Sequence, residues 1–273
     1  MTRDEATTLA RATVEALRDG EYAGPTGERV DWSAAVRHAL EAKASLRPGA
    51  ALPEPPACAA RRTKTTVTAE RTLQAARRLH EAGGRVAALN FANGMRPGGG
   101  FLHGALAQEE ALCRCSALYA TLEGDPMYAH HQARGDPAAS DWVILSPDVP
   151  VFRTDDGTPL ARPWPLTFLT CAAPYAPEVG QPRAGDLLQR RILRVLDVAR
   201  AFGHQTLVLG AWGCGAFGHD PRRTAADFRA ALEGPFAGAF GEVVFAVSDS
   251  TFDQRTIRPF RDVFASGSAD APA

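Results

Sequence analysis

Short apolar runs alternate with helix-period segments through most of this chain, and that alternation restricts the fold more than any other feature. Apolar runs at 142–145, 167–172, 206–209 and 243–247 read as buried strands, and 85–91 as another. Helical periodicity occupies 69–82, 107–122, 186–202 and 224–232, with Gly83-Gly84 a left-handed stop after the first. Strands and helices in this order predict an α/β fold, a central sheet with helices on both faces. No internal repeat interrupts the pattern.

The first sixty residues differ. Thr2 and Glu5 have capping-box spacing, and Leu9, Thr13, Val14 and Leu17 then share one helical face. Ser33 is expected to cap a second helix ending near Arg47-Pro48-Gly49, followed by a Pro- and Ala-rich connector at 51–57. The expected organisation is an N-terminal helical extension (1–60), a catalytic α/β domain (61–265) and a small, polar, disordered tail (266–273).

Composition narrows the chemistry. A net charge of −1 leaves no broad basic surface for a polyanion, so direct nucleic-acid binding is not expected and any nucleotide-like ligand must be gripped locally. Of the 30 basic residues only Lys43 and Lys64 are lysines, neither in a site motif, and the P-loop pattern is absent. Five cysteines (Cys58, Cys113, Cys115, Cys171, Cys214) form no C-x-x-C pair, and Cys113 and Cys115 fall on different faces of a helix. The histidines are scattered, with His130-His131 read as part of a polar loop, so no metal or cofactor is required. The N-terminus lacks the apolar core of a signal peptide, and no apolar stretch is long enough to span a membrane. A reducing cytoplasm is the expected location.

Two loops carry the chemistry. The first leaves strand 85–91 as Asn90-Phe91-Ala92-Asn93-Gly94-Met95-Arg96-Pro97-Gly98-Gly99-Gly100. Ligands of open α/β sheets bind at the carboxyl ends of strands, and successive glycine amides can form a nest for phosphate oxygens. Seven residues later come Gln108-Glu109-Glu110, in the first turn of a helix. Acidic residues suit a helix N-terminus whatever their function. Adjacent carboxylates also repel, which raises the pKa of the less solvated one and favours the partly protonated acid that glycoside cleavage needs.

The second loop, Gly213-Cys214-Gly215-Ala216-Phe217-Gly218, matches G-x-G-x-x-G after strand 206–209. A dinucleotide-binding reading fails on three counts. The loop lies late in the chain. Pro221 starts the helix only after the glycines, and the next acidic strand end, Asp249, lies about thirty residues on instead of ~20. A second nest that clamps one diphosphate together with the first is the alternative.

The pattern Gly98-Gly99-Gly100, seven residues, Gln108-Glu109-Glu110 resembles the G-G-G-x(6–8)-Q-E-E signature of poly(ADP-ribose) glycohydrolases. Leu89-Asn90-Phe91-Ala92-Asn93 and Ser116-Ala117-Leu118-Tyr119 resemble the bacterial-type branch, and Asn90-x-Ala92-Asn93 resembles the strand end of macrodomains, the fold of this family. The resemblance implies a macrodomain-like mixed sheet flanked by helices. It implies cleavage of ribose–ribose bonds from chain ends, with poly(ADP-ribose), ADP-ribose and poly-ADP-ribosylated proteins as partners and a place in reversing ADP-ribosylation during the DNA damage response.

It further implies that Glu110 is the acid/base, that Glu109 holds the leaving ribose, and that Asn90, Asn93 and Gln108 orient the distal ribose. The ten-residue stretch ending in Gly218 resembles the family's second diphosphate loop, which gives Phe217 the task of positioning the distal ribose; a core aromatic anchoring the loop is the other reading. Phe252 is the candidate for stacking adenine. An ADP-ribose reader would need the loops without the paired glutamates, whereas a hydrolase of mono-ADP-ribosyl links would present the same loops.

Overall fold

The computed structural model describes residues 1–56 and 62–265. Cys58, the end of the 51–57 connector, the boundary expected at residue 60 and the 266–273 tail lie outside the described residues.

In chain order the elements are α1 (Arg3–Asp19), β1 (Glu21–Ala23), β2 (Arg29–Asp31), α2 (Ser33–Ala42), β3 (Ala44–Leu46), β4 (Lys64–Thr68), α3 (Thr72–Glu81) and β5 (Val86–Ala92). A 3-10 turn at Phe101–His103 precedes α4 (Gln108–Cys115), α5 (Leu118–Leu122) and α6 (Pro126–Arg134). Then come β6 (Val143–Arg153), β7 (Pro159–Ala172), α7 (Ala176–Val179), α8 (Arg183–Ala201), β8 (Thr206–Leu209), α9 (Pro221–Glu233), β9 (Glu242–Ala246) and α10 (Ile257–Ala265). Seven strands form one mixed sheet in the order β3-β6-β7-β5-β8-β9-β4, the α/β class expected, and β1 pairs with β2 in a separate ribbon.

The chain divides into two compact units. The first comprises Met1–Pro48, Asn90–Asp136 and Trp142–Ala172. Its β3, β6 and β7 pair antiparallel. Tyr22, Trp32 and Phe152 form an aromatic knot with ring centroids 4.5–5.5 Å apart. Helix α1 starts on the expected capping box, with Thr2 Oγ1 accepting from Glu5 N and Glu5 Oε2 from Thr2 N. Its buried face is Ala6, Ala10, Thr13 and Ala16 rather than the larger apolar residues, and Val14 is exposed. Small side chains let this helix sit close to what lies beneath it.

Three other expectations in this unit need correction. Helix α2 ends at Ala42, and the chain turns into strand β3 instead of running to Pro48; Ser33 is its first helical residue rather than its cap, Trp32 holds the cap position without a side-chain bond, and Asp31 Oδ1 accepts the Ser33 amide. The helix expected over 107–122 is two helices. Fully buried Ser116 takes an extended conformation and bridges to Val151, and its hydroxyl donates to Leu112 O and accepts from Leu118 N. His130 and His131 belong to α6, whose N-terminus is capped by Asp125, rather than to a polar loop.

Strands β6 and β7 far exceed the apolar runs that announced them. Pro147, Pro150, Pro163 and Pro165 break up the pattern, and the ladder accommodates them with a bulge between Ser146 and Val149 beside Asp148 at φ 48°.

The second unit comprises Gly49–Leu89, Pro137–Asp141 and Ala173–Ala273. Here β4, β9, β8 and the start of β5 run parallel. Phe228, Phe260 and Phe264 pack around Phe245 with centroids 4.5–5.5 Å away. Pro221 occupies the first helical turn of α9 behind its Asp220 cap, as the sequence predicts. Among the described residues no helix is long and apolar enough to cross a membrane.

Candidate active site

Strand β5 delivers Asn90, fully buried, to the start of the first loop. Its Nδ2 donates to Glu109 Oε1 at 3.3 Å and to Thr170 Oγ1 at 3.2 Å, while its Oδ1 is buried without a hydrogen-bond partner. Asn93 turns the chain away from the strand. Its Oδ1 accepts from the amides of Met95 and Arg96, and its own amide donates to Glu109 Oε2 at 2.7 Å.

From α6, Gln132 Nε2 donates to Met95 O at 2.7 Å and His131 Nδ1 lies 2.8 Å from Gly94 O. These two anchors, together with Thr170, escaped sequence reasoning because their partners are 37 and 80 residues away.

The glycines turn inward. Gly98 and Gly99 have φ of 68° and 58°, the left-handed region that glycine occupies without penalty. A Cβ on Gly99 would stand 2.6 Å from Glu110 Oε1 and 2.9 Å from Glu109 Oε2, so only hydrogen fits there. Gly100 N donates to Glu110 Oε1 at 2.9 Å, the Gly98 amide bonds Glu109, and Gly99 N donates to Arg96 O. The glycine amides thus orient carboxylates in this structure. Gln108 ties the same helix to the strand end through its Oε1, which accepts from Phe91 N at 2.9 Å.

Both glutamates are buried on the first turn of α4, where the helix N-terminus favours negative charge. Burial, and then the charge of Glu110, outweigh the bonds from Asn93, Asn90 and Gly98 and push Glu109 up to about 8. Glu109 therefore holds its proton through neutral pH. The two carboxylates differ in commitment. Both oxygens of Glu109 accept protein hydrogen bonds, whereas Glu110 Oε2 is buried with no partner. Cys113 lies below, its Sγ 3.2 Å from where a Gly98 Cβ would stand, and burial holds its thiol far above the usual range.

The second loop follows β8. Gly213 and Gly218 have φ of 77° and 72°, and a Gly213 Cβ would meet the buried His219 ring at 2.6 Å. His219 Nε2 lies 2.8 Å from Pro174 O, and burial lowers its pKa, which keeps the ring neutral. The amides of Cys214, Gly218 and His219 close the turn on Ala211, Gly215 and Gly213 carbonyls. Those of Gly213, Gly215, Ala216 and Phe217 have no partner among the described residues. Cys214 Sγ is 3.5 Å from Thr224 Oγ1, and burial pushes its thiol up to about 12. Phe217 is half-buried, its ring edge-on to Tyr175 at 5.8 Å, and Phe252 is fully exposed.

The model of the microbial-type PARG (poly(ADP-ribose) glycohydrolase) catalytic domain matches residues 10–154. The poly(ADP-ribose) glycohydrolase of Thermomonospora curvata is 44% identical, with a TM-score of 0.90 over 96% of this chain and 100% of that one. Its complex with the inhibitor ADP-HPD aligns at 43% identity and TM-score 0.87, covering 95% and 99%. The Deinococcus radiodurans enzyme in complex with ADP-ribose is 45% identical over 75% of this chain and 85% of that one, with a TM-score of 0.72. No curated protein sequence matches the chain. Just over half of the chain fits the family model and nearly all of it superposes on a solved member, so the chain belongs to the microbial-type poly(ADP-ribose) glycohydrolase family and is a glycosidase.

Proposed function

We propose that this enzyme hydrolyses the ribose–ribose O-glycosidic bonds of poly(ADP-ribose) from chain ends, releasing ADP-ribose. The observation that carries the reading is the unequal commitment of the two buried glutamates. Glu109, with both oxygens bonded, holds its place and the leaving ribose. Glu110, with Oε2 unpartnered, protonates the departing ribose oxygen and then takes a proton from the attacking water.

Asn90, Asn93 and Gln108 orient the distal ribose. Asn90 is the best placed for it, since its Oδ1 is an acceptor without a protein donor. The unpartnered amides of Gly213, Gly215, Ala216 and Phe217 support diphosphate binding by the second loop, with Cys214 and Gly218 shaping the turn. Gly98, Gly99 and Gly100 are assigned to the diphosphate by the family resemblance. Phe217 positions the ribose, and the exposed Phe252 ring offers a face to adenine.

The partners are poly-ADP-ribosylated proteins, the compartment the cytoplasm, and the role the reversal of ADP-ribosylation after DNA damage. Neither a cofactor nor direct nucleic-acid binding has a part in this scheme. Incubation with defined poly- and mono-ADP-ribosylated substrates tests the reading. Free ADP-ribose from polymer alone is the expected product. Oligomeric products would refute action from chain ends, and removal of the protein-linked unit would move the assignment to mono-ADP-ribosyl hydrolysis.

A further inference from the structure

The helix that bears the glutamates is only Gln108–Cys115, about two turns, too short to hold a position on its own. Its N-cap residue, Ala107, supplies no side-chain cap. What fixes it comes from elsewhere in the unit. At its far end, buried Arg153 donates through Nη1 to Arg114 O at 3.0 Å, Thr13 Oγ1 at 2.6 Å and Leu9 O at 3.3 Å. Fully buried Thr13 shares its one hydroxyl proton between Leu9 O at 2.8 Å and Arg114 O at 3.0 Å, so it bridges α1 to the end of α4.

Arg153 has no carboxylate partner among the described residues, its bonds going to two carbonyls and a hydroxyl. Its guanidinium sits 4.3 Å from the centroid of the Phe152 ring and caps a helix C-terminus, where the backbone dipole is negative. At the other end, Arg114 Nη1 reaches back to Ala105 O at 2.6 Å, and Arg3 Nε donates to His103 O at 3.0 Å. Helix α1 presses on this loop so closely that a Cβ on Gly104 would collide with Arg3 O.

We propose that Arg153 and Thr13 are positioning residues for catalysis: through the Arg114 carbonyl they lock the two-turn helix α4, and with it Glu109 and Glu110, in the working frame. The N-terminal helix is thereby part of the catalytic apparatus. This inference rests on the assignment of the glutamate pair made above. A buried cation without a counter-ion is a poor device for stability, since an apolar side chain of similar volume often serves as well. Its position at the end of the glutamate-bearing helix, four to five residues or about 6–7.5 Å of axial rise beyond Glu110 and Glu109, gives it a different task.

The test uses the full chain carrying Arg153→Met, Arg153→Lys or Thr13→Val, with kcat and KM on poly(ADP-ribose) and calorimetric affinity for ADP-ribose. A frame shift of a few tenths of an ångström lowers kcat about tenfold in Arg153→Met, with KM and ADP-ribose affinity within about twofold. Arg153→Lys recovers most of the rate, because its ammonium still reaches the Arg114 carbonyl. Thr13→Val removes one hydroxyl, lowers kcat about threefold, and carries the test if Arg153→Met fails to fold.

Unchanged kcat in the folded variants, a loss confined to KM and affinity, or Arg153→Lys no better than Arg153→Met would overturn the proposal. Glu110→Gln run in parallel separates the two claims. An active Glu110→Gln refutes the glutamate assignment, whereas an inactive one beside a normal Arg153→Met refutes only the role of Arg153.

Discussion

Replacing Gly99 by alanine probes the catalytic turn at its tightest point. Two separable costs arise. The first is backbone strain: at φ 58° an alanine costs about 1–2 kcal/mol relative to glycine. The second is displacement of Glu110, the proposed acid. The new Cβ would stand 2.6 Å from Glu110 Oε1, whereas ordinary contact begins at 3.4 Å, so the carboxylate must retreat by about 0.8 Å. Glu110 Oε1 is pinned by Gly100 N and Glu109 Oε2 by Asn93 N, so retreat breaks bonds that aim the pair. Misplacement on that scale costs about a hundredfold in turnover, or ~2.7 kcal/mol.

Gly83→Ala supplies the control, because Gly83 has φ 88° and open space where its Cβ would go. It should lose comparable stability and keep its rate. Release of ADP-ribose measured by chromatography, alongside thermal denaturation, reads both quantities. A Gly99→Ala enzyme within about threefold of the parent kcat, or a Gly83→Ala enzyme that loses as much, would refute the argument.

Two further outcomes follow from the geometry. Glu109 binds its proton more tightly folded (about 8) than unfolded (about 4.5), so folding takes up a proton between those values and stability declines as pH rises through that window. Glu109→Gln should flatten the decline, since the amide it introduces does not titrate and can donate to the unpartnered Asn90 Oδ1; pH-dependent melting curves that keep their slope would contradict this. Ser116→Ala removes a buried hydroxyl that serves Leu112 O and Leu118 N, and should cost about 1–3 kcal/mol, a drop of several degrees in Tm. An unchanged Tm would show that the helix break does not need this serine.

The parts of this molecule legible in the sequence are those specified locally. Strand Thr206–Leu209 falls on its apolar run, the α1 capping box and the Pro221 start of α9 are where local rules put them, and the glycine–glutamate spacing identifies the family. What escaped depends on partners distant in sequence. Prolines conceal β6 and β7 until the opposing strand and its bulge accommodate them. Ser116 splits a continuous helical pattern because Val151 offers a bridge. The edge strand Ala44–Leu46 gains its ladder only from Val143–Leu145, about 100 residues on. Within the site, the glycine turn suggested phosphate binding, while the bonds of Gly98 and Gly100 to the glutamates emerge only when loop and helix are folded together. The choice of Glu110 over Glu109 began as a family resemblance. The structure adds that Glu110 Oε2 is the one carboxylate oxygen of the pair without a protein partner, while the assignment itself stays a proposal.

The central claim, that Glu110 is the acid/base of a glycosidase, is tested most directly by Glu110→Gln, which preserves shape and removes the proton donor. Turnover of poly(ADP-ribose) by this variant should fall almost to nothing while ADP-ribose binds within a few-fold of the parent affinity. Sustained hydrolysis by Glu110→Gln would contradict the assignment.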